Sequence, residues 1–234
     1  MCGRFTITQL PADLAKQFDV EIPDSIRIDF NPRYNVAPTQ PVLVVRTGAE
    51  GGRRELTWLR WGLIPSWAKD PAIGNRMINA RAESLADKPA YRASYRRRRC
   101  LVLADGFYEW QRRDRVKQPY YLRFKSGGVF GLAGLWEHWQ SPDGDELESC
   151  AIITTDPNAL ASQIHDRMPV IIPGAGYDRW LDPRTQSPDA LAALLKPYPA
   201  DQMESYPVST NVNRPANDSA ENIRPLDDLF GMDI

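Results

Sequence analysis

Few positions in this 234-residue chain combine residue types that could do chemistry, and the first is Cys2 in Met1-Cys2-Gly3-Arg4-Phe5. Once Met1 is removed, Cys2 carries an amine and a thiol on adjacent carbons. Its α-amine has an ordinary pKa of about 7.7 to 8.0 against about 10.4 for lysine, so a useful fraction is unprotonated at neutral pH. That amine can attack an aldehyde, and the thiol can then close on the imine carbon to give a five-membered thiazolidine. Proximity makes the second step intramolecular. On position alone, the commoner reading is an incidental residue in a frayed terminus.

Three further residues could move or hold protons. Glu109 lies in Asp105-Gly106-Phe107-Tyr108-Glu109-Trp110, a strand-like run in which an acid would be desolvated and its pKa raised toward the range of a proton shuttle. Period-two alternation equally allows it to face water. His165, in Ile164-His165-Asp166-Arg167, precedes a buried run, a place suited to a general acid or to a histidine bonded within a turn. The other histidine, His138, reads as a strand-end surface residue. Asn79, directly before Ala80-Arg81, offers an amide donor and acceptor, or a turn cap. Arg4, Arg81 and Arg167 each sit beside one of these candidates, and Trp67 and Trp110 lie in the same segments. Single-stranded nucleic acid is held by such pairings of cations with stacking aromatics, although tryptophans also fill cores and arginines solvate surfaces.

The elements that must position these residues are short and mixed. A helix capped at Thr8, with Pro11 in its first turn and Leu10, Leu14 and Phe18 along one face, packs the N-terminal segment. Val42 to Arg46 and Glu55 to Trp61 read as strands around a turn at Gly48 to Gly52. WGLIPSWAKDPAIGNRMINAR is a long ordered loop of the kind that carries function. Ser84 to Arg97 is helical in two pieces broken at Pro89. RCLVLADGFYEW is a buried strand running into an amphipathic one. A charged hairpin tip follows over Gln111 to Gln118, then strands at Tyr120 to Phe124, Val129 to Trp136 and Cys150 to Thr155. A short helix starts at Asp156-Pro157, two more lie near Tyr177 and Ala190, and the last strand is Tyr206 to Ser209. No repeat and no β-α alternation is present. The fold class is therefore α+β, with strands curled into one or two barrel-like sheets.

Composition bounds the function classes. Hydrophobic residues at 42%, charged at 25% and aromatic at 10% are ordinary for a globular chain. No apolar run reaches the roughly 20 residues of a membrane span, and no signal peptide is read, so the expectation is a cytoplasmic protein. The three cysteines, Cys2, Cys100 and Cys150, show neither disulfide nor zinc spacing. A net charge of -1 gives no global attraction to nucleic acid. The Arg96 to Arg99 run and the acidic tail are local features.

Read together, MCGRF, YNVAPTQ, WGLIPSW, NARAES, RCLVLADGFYEW, AGLWE, IHDRMPVII and VSTNVN resemble, in order, the SRAP family, the SOS-response-associated peptidases that process abasic sites. The resemblance runs from Met1 to about Asn213; the hairpin near Arg112 to Lys117 and the acidic tail depart from it. It implies pseudo-barrel β-sheets with peripheral helices around a large pocket, one domain over residues 1-224 and a loose tail over 225-234. It also implies covalent capture of abasic sites in single-stranded DNA. Cys2 would be the crosslinking nucleophile, Asn79 would position its amino group or the sugar, and Glu109 and His165 would move protons. Arg4, Arg81 and Arg167 would bind phosphates, and Trp67 and Trp110 would stack or splay bases with Pro38 as a wedge. A monomer without cofactor or metal, nucleoid-associated when bound to DNA, is expected. Lyase activity and self-processing to expose Cys2 belong to the same chemistry.

Two other classes fit parts of the sequence. Glutamine amidotransferases also begin Met-Cys-Gly and use the same amine and thiol for amide hydrolysis, but a second synthase domain is lacking here. A non-catalytic single-stranded DNA binder would leave Cys2 idle.

Overall fold

The computed structural model describes residues 2–48, 52–113 and 116–226. The strands are β1 (Arg4–Ile7), β2 (Arg33–Val36), β3 (Pro41–Thr47), β4 (Arg54–Trp61), β5 (Asn79–Arg81), β6 (Arg99–Ala104), β7 (Gly106–Arg113), β8 (Val116–Phe124), β9 (Phe130–Gln140), β10 (Glu146–Thr155), β11 (Met168–Pro169), β12 (Ile171–Ile172) and β13 (Met203–Pro207). They form an eight-stranded and a five-stranded sheet. In the larger sheet the order is β11-β10-β4-β3-β6-β9-β12, and β10 also pairs with β9. That extra pairing closes β10-β4-β3-β6-β9 into a five-stranded barrel. β4 and β10 make its parallel seam through Ser149↔Arg60 and Cys150↔Trp61. The smaller sheet runs β13-β8-β7-β1-β2.

Both faces of β6 are buried, from Arg99 through Ala104, which is why RCLVLA reads as a continuous apolar run rather than an alternating one. The peripheral helices are α1 (Pro11–Phe18), α2 (Asp24–Asp29), α3 (Pro89–Arg97), α4 (Tyr177–Leu181) and α5 (Pro188–Ala192). α3 turns Tyr91, Ser94 and Tyr95 inward. Among the described residues, no helix is long and apolar enough to cross a membrane.

The chain passes from barrel to second sheet at Asp105-Gly106. There the buried Asp105 carboxylate accepts from the Thr6 hydroxyl and from the Thr8 backbone N–H and hydroxyl, both at 2.6 Å. The Tyr121 hydroxyl lies 2.8 Å from Thr6 Oγ1. Gly106 makes room for that ring, since a Cβ there would come within 2.1 Å of it. This hub ties β1, which leads from Cys2, to β7, which carries Glu109.

Several local expectations change. Thr8 serves Asp105 and not a helix, and α1 starts at an N-cap of Leu10 with no side-chain cap. Pro11 at the first helical position supplies the start, and Leu10 is exposed rather than packed with Leu14 and Phe18. No helix begins at Asp156-Pro157: the segment has no regular structure before a turn and a 3-10 helix at Ala161–Gln163, because the Asn158 side chain accepts from the Leu160 and Ala161 N–H groups instead. The last strand begins earlier, at Met203, where it pairs with Phe124 of β8. Pro89 begins α3 as expected, but no helical piece spans Ser84 to Lys88: a 3-10 turn at Ala82–Ser84 runs into a hydrogen-bonded turn instead. Met1, residues 49–51 and 114–115, and the residues from 227 onward, Asp227, Asp228 and Asp233 among them, lie outside the described residues.

Candidate active site at the seam of the two sheets

The β1–β7 ladder is in register from Thr6↔Gly106 to Arg4↔Tyr108 and ends there. Strict alternation from the buried Phe5 would turn Cys2 to the opposite face. Instead Cys2 leaves the ladder and joins the same core cluster as Phe5, with its thiol 3.9 Å from the Arg4 carbonyl oxygen. The thiol is fully buried, and burial, followed by the nearby Glu109 carboxylate, pushes its pKa well up. It is therefore held as a thiol rather than a thiolate.

Asn79 comes from the other sheet. It pairs with Ile152 of β10, and its Nδ2 donates to the Cys2 carbonyl at 2.7 Å, while the buried Asn79 Oδ1 has no hydrogen-bond partner. The segment before it is fixed at Ile78, whose carbonyl accepts from Trp61 Nε1 at 2.9 Å and from the Ile152 N–H at 3.0 Å.

Glu109 is 2% exposed on β7. Burial first, then the Asp166 carboxylate, raises its pKa to about 7, against a backbone hydrogen bond at Trp110 that lowers it. His165 stands across a cleft of about 400 Å³ lined also by Trp110, Arg112, Lys117 and Asn213. Its Nδ1 accepts the Arg167 N–H at 3.1 Å, which leaves Nε2 as the protonated nitrogen of the neutral ring. Burial, chiefly, lowers its pKa. The Asp166 carboxylate, 2.8 Å from the same Nδ1, becomes an attractive partner only when the ring is charged.

The cations fall into two groups. Arg4 donates to Asn35 Oδ1 at 2.8 Å and to the carbonyls of Val212 at 2.7 Å and Asn213 at 3.3 Å, tying the VSTNVN segment to β1. Arg167, 9% exposed, donates to Asp156, Glu83 and the Thr154 carbonyl. Arg81 is exposed; its carbonyl accepts from the Ser84 hydroxyl at 3.3 Å, and its guanidinium makes no hydrogen bond or ion pair with a described residue, although its charge helps to lower the Glu83 pKa. In the Arg96 to Arg99 run, Arg99 is buried with its guanidinium on four backbone carbonyls and Arg98 pairs with Glu137 at 2.7 Å. That part of the run is framework.

The aromatics differ likewise. Trp67 is 62% exposed on a loop held back by its own glycines: a Cβ on Gly62, at φ +135, would meet the Gly74 carbonyl oxygen at 2.5 Å. The Trp110 indole is fixed by donating to Asn213 Oδ1 at 2.7 Å. Pro38 is partly exposed in a turn where Thr39 takes φ 72, a left-handed conformation uncommon for a β-branched residue. The Thr39 N–H donates to the Trp61 carbonyl at 2.8 Å. His138 is exposed on β9.

The structure thus brings Cys2, Asn79, Glu109 and His165 to one seam, with Trp110 on its rim. Sequence reasoning assigned no role to Asn35, Asn213 or Asp166. Asn35 and Asn213 stand inside motifs quoted above. Asn35 is fully buried, and its Nδ2 reaches the carbonyls of Val212, Arg214 and Asn217, a buried asparagine flanked by Tyr and Val being the available signal.

Residues 1–215 match the family described as SOS response associated peptidase (SRAP). The Bacillus subtilis abasic site processing protein YoqW is 47% identical over 224 residues, covering 94% of this chain and 98% of that one. The Xenopus tropicalis abasic site processing protein HMCES is 35% identical over 94% of this chain and 77% of its own length. A crystal structure of a Bacteroides thetaiotaomicron protein superposes with a TM-score of 0.87 at 26% identity, covering 96% of this chain and 99% of that one. Motifs, fold and similarity agree: the chain belongs to the SRAP family.

Proposed function

We propose that the protein processes abasic sites in single-stranded DNA by forming a covalent link through Cys2 as the mature N-terminus, acting as a monomer. The observation that carries this reading is the hydrogen bond from Asn79 Nδ2 to the Cys2 carbonyl, which holds the nucleophile's own backbone beside an acid whose pKa is near neutrality.

The ring-opened abasic sugar presents an aldehyde at C1′. The Cys2 amine adds to it, and the carbinolamine loses water to leave an imine. Glu109, with a pKa of about 7, is shared at neutral pH between the acid that protonates the departing hydroxyl and the carboxylate that accepts the next proton. The thiol, held protonated by burial, needs that base as its sulfur closes on the imine carbon. Aldehyde, amine and thiol give thiazolidine and one water. His165, with the proton on Nε2, assists ring opening. β-Elimination from the same imine would register as lyase activity. Exposing the amine requires cleavage of the Met1-Cys2 bond, by the protein itself or by a methionine aminopeptidase.

Arg4, Arg81 and Arg167 supply positive charge toward the phosphates. Arg81 does so with an uncommitted guanidinium, Arg4 and Arg167 from positions anchored to the protein's own acceptors. Trp67, Trp110 and Pro38 stack against or splay the flanking bases.

Replacement of Cys2 by Ala is expected to abolish the heat-stable adduct on abasic single-stranded DNA while leaving binding largely intact. Cys2→Ser keeps the amine, so borohydride should still trap an imine although no thiazolidine forms. A heat-stable adduct of undiminished yield from Cys2→Ala would refute the assignment.

A further inference from the structure

The β7–β8 hairpin carries two cations that neither the framework nor the chemistry above uses. Arg112 and Lys117 are direct cross-strand partners and both are exposed. Like charges placed opposite one another on a sheet repel, and neither side chain has an ion pair or hydrogen bond with a described residue. Both line the cleft that holds Glu109 and His165. Of the two acids near them, Glu109 lines that same cleft and is 2% exposed, and Asp166 shares with Arg112 the adjoining cleft of about 510 Å³ but sits on His165 Nδ1 at 2.8 Å.

Alternation along β7 puts Tyr108, Trp110 and Arg112 on one face. Tyr108 packs in a small cluster with Tyr121, Trp110 and Tyr206, and the indole of Trp110 is fixed by Asn213. A rigid aromatic plane is therefore followed, one same-face position further along the strand, by a facing pair of cations. Stacked bases and their phosphates present that alternation of flat ring and anion.

We propose that Arg112 and Lys117 form a phosphate clamp that holds one phosphodiester of the DNA strand next to the abasic nucleotide, with the adjoining base on Trp110. The phosphate relieves the repulsion between the two side chains, and the clamp sets which nucleotide stands over Cys2. This inference rests on the single-stranded DNA reading above. It adds an anion site outside the segments that resemble the family.

The test is the salt dependence of binding to a single-stranded oligonucleotide with one tetrahydrofuran site, which lacks the aldehyde and so reports binding without crosslinking. The double variant Arg112→Gln/Lys117→Gln should lose about 1.4 from the magnitude of the log K against log[salt] slope, about 0.7 for each contact to a single strand. Arg112→Lys should keep the wild-type slope, which separates loss of charge from misfolding. The exposed Arg92 on α3 is the control, and Arg92→Gln should leave the slope as it was. If the double variant keeps the wild-type slope while the wild type binds with an ordinary salt dependence, the clamp is wrong and the DNA reading stands. An equal loss from Arg92→Gln would also reject the clamp. No salt-dependent binding by the wild type would remove both.

Discussion

At the scale of single residues, Glu109 links chemistry to stability. Its carboxyl is 2% exposed and its pKa rises from 4.5 to about 7, burial being the main cause. Between those values the folded chain holds a proton that the unfolded chain has released, so stability falls as pH rises from about 4.5 to 7 and stays lower above that. At 1.36 kcal/mol per unit the loss is about 3 kcal/mol. Glu109→Gln removes the titrating group at nearly constant shape. Denaturant melts should show the variant more stable than wild type by about 3 kcal/mol at pH 8 and indistinguishable at pH 4, and the same variant should crosslink about 10²- to 10⁴-fold more slowly. A stability difference independent of pH would mean that folding does not raise the Glu109 pKa. The desolvated acid was legible from its apolar neighbours, Phe107, Tyr108 and Trp110. The use of Arg4 and Arg167 as internal anchors was not, because nothing local to either arginine names acceptors that lie far away in the chain, such as Val212 and Glu83.

At the scale of elements, the site depends on the corner where β6 becomes β7. Asp105 collects Thr6 of β1 and Thr8 just beyond its end, and Gly106 admits the Tyr121 ring. A methyl group at Gly106 would stand 2.1 Å from that ring, and the backbone on both sides is locked in a ladder. Gly106→Ala should therefore cost about 3 kcal/mol or more, at the upper end of overpacking penalties, as read by urea denaturation; a loss under about 1 kcal/mol would show that the corner yields easily. The strands themselves were readable from alternation and from the apolar run Cys100 to Ala104 in β6. The Asp105 hub was not. Thr8 followed by Leu10 and Pro11 carries a helix-start signal as strong as many real ones, and only the fold reveals the competing carboxylate. The irregular segment after Asp156 is similar: the Asn158 side chain accepts from Leu160 and Ala161, two residues later than a helix begun at Pro157 would need.

At the scale of the whole molecule, the barrel and the second sheet meet at a seam that holds groups from the segment before β1, from β5 and β7, and from the turn before β11. α+β class and barrel-like curl follow from many short strands without β-α alternation. Closure of the ring through the parallel β4–β10 pairing depends on two register pairs that no local pattern encodes. With a net charge of -1, attraction to DNA has to come from local placement of cations rather than from an overall field. That is why the hairpin pair matters beyond its size.

The central claim is that the reactive group is the amine and thiol of a mature Cys2. Its most direct test is the intact mass of the protein after incubation with an abasic single-stranded oligonucleotide, comparing a chain beginning at Cys2 with one that retains Met1. The account predicts a species equal to the chain from Cys2 plus the oligonucleotide less one water, and no adduct from the chain that keeps Met1. An adduct that retains Met1 in comparable yield, or none from the mature chain, would contradict it.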